Sequence, residues 1–258
     1  MRPFHGMQPP RKRHQKLAQP RGIPLLSVTG ATLRSFAVFA ATPLEPLENL
    51  ARGCMVRRFG PNTRVVRTGE AASFVYLVAS GSLNVLAGNE DGREAILAVL
   101  KQGELFGEMG VLDEQARCAT IVAATQCVLI AISRTDFKSF MKDNFDVTEY
   151  VIRTLIARLR TANRRIESLA LLDVPGRVLG VLRDLADSDG AEQLSLRKYS
   201  IQEIAKMVGA SREMVSRVMK DLTARGEIVI DDGRIMLKGH VPSKAPGLPA
   251  GTPRGPRF

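Results

Sequence analysis

The sequence predicts an α+β protein built from an antiparallel, jelly-roll-like β-barrel, a long helix and a C-terminal winged helix-turn-helix. Short apolar runs separated by glycines predict the barrel, and an apolar heptad repeat predicts the long helix. Two capped helices followed by a hairpin signal predict the winged helix. The expected parts are a disordered basic tail at 1–30, the barrel at 31–145, the long helix at 146–172, the winged helix at 173–239 and a disordered tail at 240–258.

The barrel prediction rests on residues 40–134, where apolar runs of strand length alternate with glycines and helical signals are few. Strands and turns at such regular spacing are typical of an antiparallel sandwich or barrel. The predicted strands include residues 65–66, 74–78, 83–86, 95–100, 120–123 and 127–132, and the turns carry Gly60, Gly69, Gly81, Gly88, Gly92, Gly103 and Gly107.

Helical periodicity begins after Ser133, a predicted N-cap, and continues to Asp173. Within this stretch a narrow apolar seam repeats at heptad spacing and is flanked by arginines. The pattern predicts a two-stranded coiled coil and therefore a homodimer, whereas the alternative interpretation packs the helix on its own barrel. The seam consists of Ile152, Leu155, Leu159, Ala162, Ile166 and Leu169, and the flanking arginines are Arg153, Arg158, Arg160, Arg164 and Arg165.

The winged helix is predicted from a further helix at 176–186 and from two short helices that follow Ser200. Ser200 and Glu203 form a capping box at the start of the first short helix. Gly209 permits the turn, and Ser211 caps the second helix. A tight-hairpin signal follows, in which Asp-Asp-Gly at 231–233 separates apolar runs at 227–230 and 234–237.

The second short helix has two faces of different character. At helical spacing, its apolar side chains gather on one face and its charged side chains on the other. Guanidinium forks and a carboxylate suit the edges of guanine and cytosine in a major groove, although a solvated charged face is the alternative interpretation. The residues expected to bind DNA are Ser211, Arg212, Glu213, Ser216, Arg217 and Lys220, and the apolar face carries Met214, Val215, Val218 and Leu222.

The formal net charge of +11 lies largely in the two tails. Residues 1–30 carry six Lys/Arg and residues 240–258 carry three, with no acidic residue in either segment, which leaves +2 for residues 31–239. The basic tails are expected either to add salt-sensitive attraction to phosphate or to remain solvated chain.

Composition also disfavours several classes of site. The three cysteines lack the short spacings of a zinc site or a disulfide framework, and the three histidines fall in or beside the tails. We therefore expect no metal and no enzymatic activity. No apolar stretch has the length of a membrane helix or a signal peptide, which predicts a cytoplasmic protein without membrane contact.

A second motif, Gly-Glu-Leu-Phe-Gly-Glu-Met-Gly-Val-Leu at 103–112, is followed by Arg-Cys-Ala-Thr at 117–120. Its glycines let backbone amides approach a ligand, while Glu108 offers a carboxylate suited to a ribose hydroxyl and Arg117 a fork suited to one phosphate. The Gly-Glu at 107–108 and the Arg-Cys-Ala at 117–119 resemble the phosphate-binding cassette of the cyclic-nucleotide-binding domain, with Cys118 where Ser, Thr or Ala is more usual. We expect the ligand to contact Gly107, Glu108, Met109, Arg117 and Cys118.

Residues 35–238 as a whole resemble the CRP–FNR superfamily of bacterial transcription regulators, nearest its catabolite-activator branch. The resemblance also rests on Leu-Ala-Leu-Leu-Asp-Val-Pro-Gly-Arg at 169–177 and on Ser-Arg-Glu at 211–213. It implies a ligand-responsive regulator that binds double-stranded DNA as a homodimer, with RNA polymerase as a further partner. It also implies that Arg212, Glu213 and Arg217 read bases in a TGTGA-like half-site.

The sequence departs from the family at the positions expected to contact the effector. In its cyclic-AMP members a Thr-Ser pair on the dimer helix contacts the adenine, and the equivalent positions here are Ala162 and Asn163. Thr161 lies one residue earlier, about 100° around the helix. Cyclic AMP or cyclic GMP is the first effector expected, and cyclic di-GMP is the alternative because the extra arginines of the dimer helix suit a second phosphate.

Two other functions remain open from the sequence. One is a regulator of the same fold that acts without an effector, and the other is a nucleotide-binding regulatory module that does not use DNA, as in kinase regulatory subunits. Glu108 and Arg117 disfavour the first, and the charged face of the helix after Ser211 disfavours the second.

Overall fold

The computed structural model describes residues 27–88, 94–189, 193–195, 199–231 and 234–237. These residues form two four-stranded antiparallel sheets, a long helix, and a helical C-terminal unit with a three-stranded sheet. The predicted fold class, a β-roll followed by a long helix and a winged helix-turn-helix, is confirmed. Most of the two predicted tails, 1–26 and 238–258, lies outside the described residues.

Two helices and a 3-10 turn, none of them predicted, precede the first strand. They are α1 (Gly30–Arg34), the turn Ala37–Phe39 and α2 (Leu44–Gly53). Leu47, Leu50 and Ala51 lie on one face of α2 because they are spaced by three and four residues, and all three are buried. This face packs with Leu33 and Phe39 in a core that also contains buried residues of the strands at 74–80 and 127–133.

The β-roll contains all six predicted strands and two that were not predicted. The strands are β1 (Met55–Phe59), β2 (Arg64–Val66), β3 (Phe74–Ser80), β4 (Leu83–Gly88), β5 (Glu94–Leu100), β6 (Leu105–Phe106), β7 (Thr120–Ala123) and β8 (Cys127–Ser133). Their orders are β1-β8-β3-β6 in one sheet and β2-β7-β4-β5 in the other. β1 was not predicted because Arg57 and Arg58 interrupt its apolar pattern, and β6 was not predicted because that strand has only two residues.

The core between the sheets is built from alternating residues of the strands, among them Val78, Leu83 and Leu129, all fully buried. The β3–β4 turn fits closely against the segment before β8. Gly81 has φ 88°, and a Cβ atom there would lie 2.4 Å from the carbonyl oxygen of Gln126, so the turn accepts only glycine.

Two helices, rather than one, follow the β-roll. Ser133 caps α4 (Arg134–Asp143) as predicted, because its side chain accepts a hydrogen bond from the amide of Asp136. The chain breaks at Asn144, whose side-chain nitrogen donates to the carbonyl of Phe140 at 2.8 Å. The long helix α5 (Phe145–Leu171) begins directly afterwards.

The α5 helix packs one face on the β-roll and leaves an apolar stripe outside. Val147 and Val151 are buried on the inner face, and Leu155 packs beside them against the β-roll core. Leu155 was expected in the dimer seam, but Ile156 occupies the outward position, about 100° further around the helix. The outward stripe, whose members are 45–65 % exposed, consists of Ile152, Ile156, Leu159, Ile166 and Leu169.

The C-terminal unit is a three-helix bundle with a small sheet. Its elements are α6 (Val174–Asp189), β9 (Gln193–Ser195), α7 (Ile201–Val208), α8 (Arg212–Ala224), β10 (Ile228–Asp231) and β11 (Arg234–Leu237). The hairpin of β10 and β11 was predicted, while β9, which adds to β11, was not. Both side chains of the predicted capping box at Ser200 and Glu203 make their hydrogen bonds, and Gly209 ends α7 at φ 67°.

The buried face of α8 differs from the predicted one at a single residue. Val215, Val218 and Leu222 are buried as expected, but Met214 is 40 % exposed. Met219, which is 3 % exposed, takes its place in the core. Met214 lies at the edge of the apolar arc, so the packing of α6 and α7 decides its burial.

Candidate functional site

The segment expected to bind a ligand begins at Gly107, between β6 and the short helix α3 (Glu108–Leu112). Gly107 has φ 83°, a left-handed conformation that glycine adopts without strain. A Cβ atom at this position would lie 2.6 Å from Nη1 of Arg117, so the arginine packs directly on the glycine backbone. The next residue, Glu108, points inward and is 1 % exposed.

Arg117, the predicted phosphate ligand, is buried with its guanidinium on backbone carbonyls. It donates from Nη1 to the carbonyl of Gly107 at 2.8 Å and from Nη2 to the carbonyl of Phe74 at 2.5 Å. Its guanidinium carbon lies 5.9 Å from the centre of the Tyr76 ring. Burial lowers the pKa of Arg117 from its ordinary value and raises the pKa of Tyr76. An anion beside the guanidinium favours its charged form and so opposes the effect of burial.

Glu108 is paired with a residue that the sequence analysis did not assign to the site. Arg158 of α5 donates from Nη1 to Oε1 of Glu108 at 2.6 Å and from Nη2 to the carbonyl of Leu105 at 2.6 Å. Arg158 follows Val151 and Leu155 on the inner face of α5 at a spacing of seven and three residues. Its position in the helical repeat could have indicated that Arg158 faces the β-roll. The identity of its partner, Glu108, depends on the fold, because the two residues are 50 positions apart in sequence.

The site has two guanidinium groups and one unused acceptor. Arg158 is paired with the buried carboxylate of Glu108, and Arg117 lies close enough to that carboxylate to interact with its charge. Two further carboxylates, Glu70 and Glu104, lie near Arg117 and Arg158 respectively. Among the described residues, Oε2 of Glu108 is a buried oxygen without a hydrogen-bond partner. A buried acceptor without a donor is costly, so the site suits a ligand that brings both a hydroxyl group and a negative charge.

The other predicted ligand contacts are distributed around this pair. Met109 and Cys118 are exposed beside the buried Glu108 and Arg117. Thr161 is half-buried, and its hydroxyl donates to the carbonyl of Ala157 at 3.1 Å and accepts from Arg164 at 3.0 Å.

The two positions expected to face a base, Ala162 and Asn163, are exposed on α5. Ala162 lies one turn beyond Arg158, about 40° around the helix, and Asn163 lies about 140° around it. Within one chain the structure brings together Gly107, Glu108 and Arg117 and adds Arg158 of α5, while Ala162 and Asn163 stay exposed to solvent.

The second candidate site is the outer face of α8. The hydroxyl of Ser211 accepts a hydrogen bond from the amide of Met214 at 3.1 Å and so fixes the start of the helix. Ser216 is half-buried, and the charged residues of the predicted DNA-binding face are exposed. Within the described residues these charged side chains form no hydrogen bond or ion pair, and they comprise Arg212, Glu213, Arg217 and Lys220.

Three further observations concern the described part of the chain. None of its helices is long and apolar enough to cross a lipid bilayer. It also contains no cluster of three or more His, Cys, Asp or Glu side chains that could hold a metal ion. Burial raises the pKa of the Cys54 thiol to about 12, with a smaller contribution from Asp136.

Comparison with protein families finds a match in each half of the chain. Residues 56–144 match the family described as cyclic nucleotide-binding domain. Residues 176–239 match the family described as Crp-like helix-turn-helix domain. The first match contains Glu108 and Arg117, while Arg158 lies beyond its end, and the second match contains α7, α8 and the hairpin.

Curated relatives and solved structures agree with these matches. The chain is similar to the cAMP-activated global transcriptional regulator Vfr of Pseudomonas aeruginosa, at 30 % identity over 211 residues, which cover 79 % of this chain and 98 % of that protein. It is 36 % identical over 181 residues to the cAMP-activated global transcriptional regulator CRP of Pasteurella multocida, covering 68 % and 86 % of the two chains. A similar solved structure is the c-di-GMP-responsive global regulator CLP of Xanthomonas campestris, with 31 % identity, a TM-score of 0.67, and coverage of 77 % of this chain and all of that one.

Proposed function

This chain belongs to the Crp family of cyclic-nucleotide-responsive, DNA-binding transcription regulators, and we propose that it binds an anionic nucleotide in the β-roll and a palindromic DNA site as a homodimer. The observation that carries the proposal is the pocket of Glu108, Arg117 and Arg158. It combines a buried acceptor that lacks a donor with a buried guanidinium, that of Arg117, which is hydrogen-bonded to backbone carbonyls and not to a carboxylate. A cyclic nucleotide supplies the ribose hydroxyl and the phosphate that such a pocket needs.

In this proposal each pocket residue has a defined role. Oε2 of Glu108 accepts the ribose 2′-hydroxyl, while Arg158 keeps Oε1 paired and so prevents repulsion between the carboxylate and the phosphate. Arg117 exchanges its carbonyl partners for the phosphate oxygens, which are stronger acceptors for a guanidinium fork. Gly107 leaves room for the phosphate at the backbone, and Met109 and Cys118 border the entrance.

Cyclic AMP is the first candidate for the effector, because the relatives Vfr and CRP are named as cAMP-activated. Cyclic di-GMP is the second, because the related regulator CLP is named as responsive to it. One observation favours the second candidate. The hydroxyl of Thr161 is bonded within α5, and Ala162 and Asn163 offer no hydroxyl pair for an adenine. The effector class is the same in both cases, a cyclic nucleotide with at least one phosphodiester.

On the DNA we propose that the outer face of α8 enters the major groove. Arg212 and Arg217 donate to guanine edges, and Glu213 accepts from the amino group of cytosine. Ser211, Ser216 and Lys220 contact the backbone or neighbouring base edges. The expected half-site resembles TGTGA, and two half-sites fit a dimer whose recognition helices are about 34–36 Å apart.

The dimer is proposed to form along the outward stripe of α5. Apolar side chains exposed at heptad spacing on a helix of 27 residues are what a parallel coiled coil buries. The proposed interface combines the outward stripe with Ala162, and Leu155 supports it from the inner face. RNA polymerase is the further partner proposed for a regulator of this family, acting in the cytoplasm without catalysis of its own.

Calorimetric titration with cyclic AMP, cyclic GMP and cyclic di-GMP tests the pocket. We expect one of the three nucleotides to bind, and we expect Arg117→Ala to bind it about 10- to 100-fold more weakly, since a charge-assisted hydrogen bond contributes about 1.5–3 kcal/mol. Arg67→Ala is the matched control, because Arg67 is an exposed arginine of the same β-roll paired with Glu70.

Equal affinity of the Arg117→Ala variant and the parent would show that the phosphate binds elsewhere. Failure of all three nucleotides to bind the parent protein would favour the alternative of a regulator that acts without an effector.

A further inference from the structure

The first turn of α8 carries an apolar side chain that the protein core does not use. Met214 is 40 % exposed. The other large apolar residues of α8 are buried in the core of the C-terminal unit, and they are Val215, Val218, Met219 and Leu222. Single exposed apolar residues are common on protein surfaces, so exposure alone assigns no role to Met214. Its position on the helix is what suggests one.

Met214 lies on the border between the apolar and the charged faces of α8. It precedes Arg217 by three residues, which places the two side chains about 60° apart around the helix, as neighbours on its surface. The amide of Met214 donates to the hydroxyl of Ser211 at 3.1 Å, which fixes the backbone at this point. Met214 therefore lies beside a proposed base-reading arginine, in the N-terminal turn through which recognition helices contact base edges.

The DNA proposed for this helix offers an apolar group beside each guanine. In the major groove a thymine is marked by its methyl group, and apolar side chains contact that group. In a TGTGA half-site every base pair next to a guanine is an A·T pair, so each of these neighbours has a thymine methyl in the groove. Whichever guanine Arg217 binds, the adjacent base pair therefore presents a methyl group.

The spacing along α8 matches the spacing of the bases. Three residues of an α-helix cover about 4.5 Å along its axis, and neighbouring base pairs are about 3.4 Å apart. A side chain three residues before Arg217 therefore lies about one base pair from the guanine that Arg217 binds. The methionine side chain is long, unbranched and adaptable, so it reaches a methyl group without a fixed rotamer.

We propose that Met214 is a specificity-determining residue that contacts a thymine methyl group next to the guanine bound by Arg217. The inference rests on the proposed function, because it takes α8 as the helix that reads DNA. Its chemistry differs from that of Arg212 and Arg217, which read hydrogen-bonding groups. Met214 discriminates by burying one methyl group, so its removal leaves the salt dependence of DNA binding unchanged.

Replacement of dT by dU tests the contact, because it removes the methyl group and keeps the base pair. Fluorescence anisotropy gives the affinity for a TGTGA-type palindrome and for palindromes in which one dT position is replaced by dU in both half-sites. The proteins are the full-length parent, Met214→Ala, Met214→Leu and Met55→Ala. Each series is measured without nucleotide and with cyclic AMP or cyclic di-GMP, and a scrambled DNA completes the set.

The expected effect follows from the size of a methyl group. Burial of one such group contributes about 0.8 kcal/mol, which is about fourfold in affinity. We expect the parent to lose about fourfold per half-site, or about 15-fold in total, at one dT position. Met214→Ala should bind the unmodified palindrome about 15-fold more weakly and lose less than about twofold from the same dU replacement. Met214→Leu, which keeps an apolar side chain, should retain most of the preference for dT.

Two controls separate the methyl contact from other effects. Met55→Ala makes the same substitution at a methionine of β1 that is 37 % exposed, nearly as much as Met214, and it should lose as much from dU as the parent. Scrambled DNA separates base contact from backbone contact. Met214→Ala should bind it within about twofold of the parent, because an apolar side chain does not attract phosphate.

Three results would overturn the inference. The parent could bind every dU palindrome as tightly as the unmodified one, or Met214→Ala could lose as much from dU as the parent does. Equal weakening of the palindrome and the scrambled DNA by Met214→Ala would mean that Met214 contacts the DNA backbone. A parent that does not prefer the palindrome to scrambled DNA gives a different result, since it contradicts the proposed function itself and the Met214 contact with it.

Discussion

In the β-roll, Glu108 and Arg117 are 1 % and 7 % exposed and are bonded to other groups of the chain. On α8, Arg212 and Arg217 are exposed, and neither has a hydrogen-bond or ion-pair partner among the described residues. The two sites use the same residue types and hold them in opposite ways. An effector must therefore replace the carbonyl contacts of Arg117, whereas DNA binds arginines whose charged groups are in contact with water alone.

The difference follows from what each site must recognise. A nucleotide of fixed shape is bound best by groups that packing holds in place, and a buried charge needs a partner when the ligand is absent. Arg158 is that partner for Glu108. DNA recognition needs long side chains that reach base edges in a groove, so their charges remain in water until the complex forms.

The largest effect is expected from substitutions in the proposed dimer interface, the outward stripe of α5. Leu159→Lys/Ile166→Lys should convert the protein to monomers and abolish specific binding to palindromic DNA, because it places like charges opposite each other in an apolar seam. Sedimentation measures the change. Ala157→Lys, an exposed position on the flank of the same helix, should remain dimeric. A double variant that still sediments as a dimer would mean that the stripe is not the interface.

A smaller effect is expected from removing the partner of the buried carboxylate. Arg158→Met should lower the free energy of unfolding by about 2 kcal/mol, less than for a fully buried pair because Arg158 is 35 % exposed. Arg153→Met, in the exposed pair with Glu149 on the same helix, should cost less than about 0.5 kcal/mol. Urea denaturation measures both.

The double variant Glu108→Gln/Arg158→Met sharpens this comparison, since it removes the carboxylate that Arg158→Met leaves unpaired. We expect it to recover most of the lost stability. Equal costs for Arg158→Met and Arg153→Met would show that the buried pair is energetically no different from a surface pair.

The features that local patterns control were predictable from the sequence. The apolar runs of the β-roll, the caps at Ser133, Ser200 and Ser211, and the hairpin after α8 each depend on residues a few positions apart. Glu108 and Arg117 were identified because their motif is continuous in sequence. Their burial was not predicted, because it depends on β3 and α5.

The features that the sequence analysis missed depend on contacts between distant elements. The Glu108–Arg158 pair joins residues 50 positions apart, and the α5 pattern alone gave Arg158 the same character as its exposed neighbours. The choice between Leu155 and Ile156 on the outward stripe is a choice of helical phase, which the packing of α5 on the β-roll decides. The exchange of Met214 for Met219 in the core of the C-terminal unit has the same origin.

The measurement that tests the central claim most directly compares Arg217→Ala with the parent protein on two DNAs. One DNA carries a TGTGA-type palindrome and the other a scrambled sequence of the same composition, and fluorescence anisotropy gives both affinities at two salt concentrations. If the exposed face of α8 reads bases, the variant loses about 1–3 kcal/mol on the palindrome and relaxes its preference at one base pair, while the scrambled DNA changes little. If Arg217→Ala weakens both DNAs equally, its charge serves only phosphate attraction, and the account of α8 as the reading helix is contradicted.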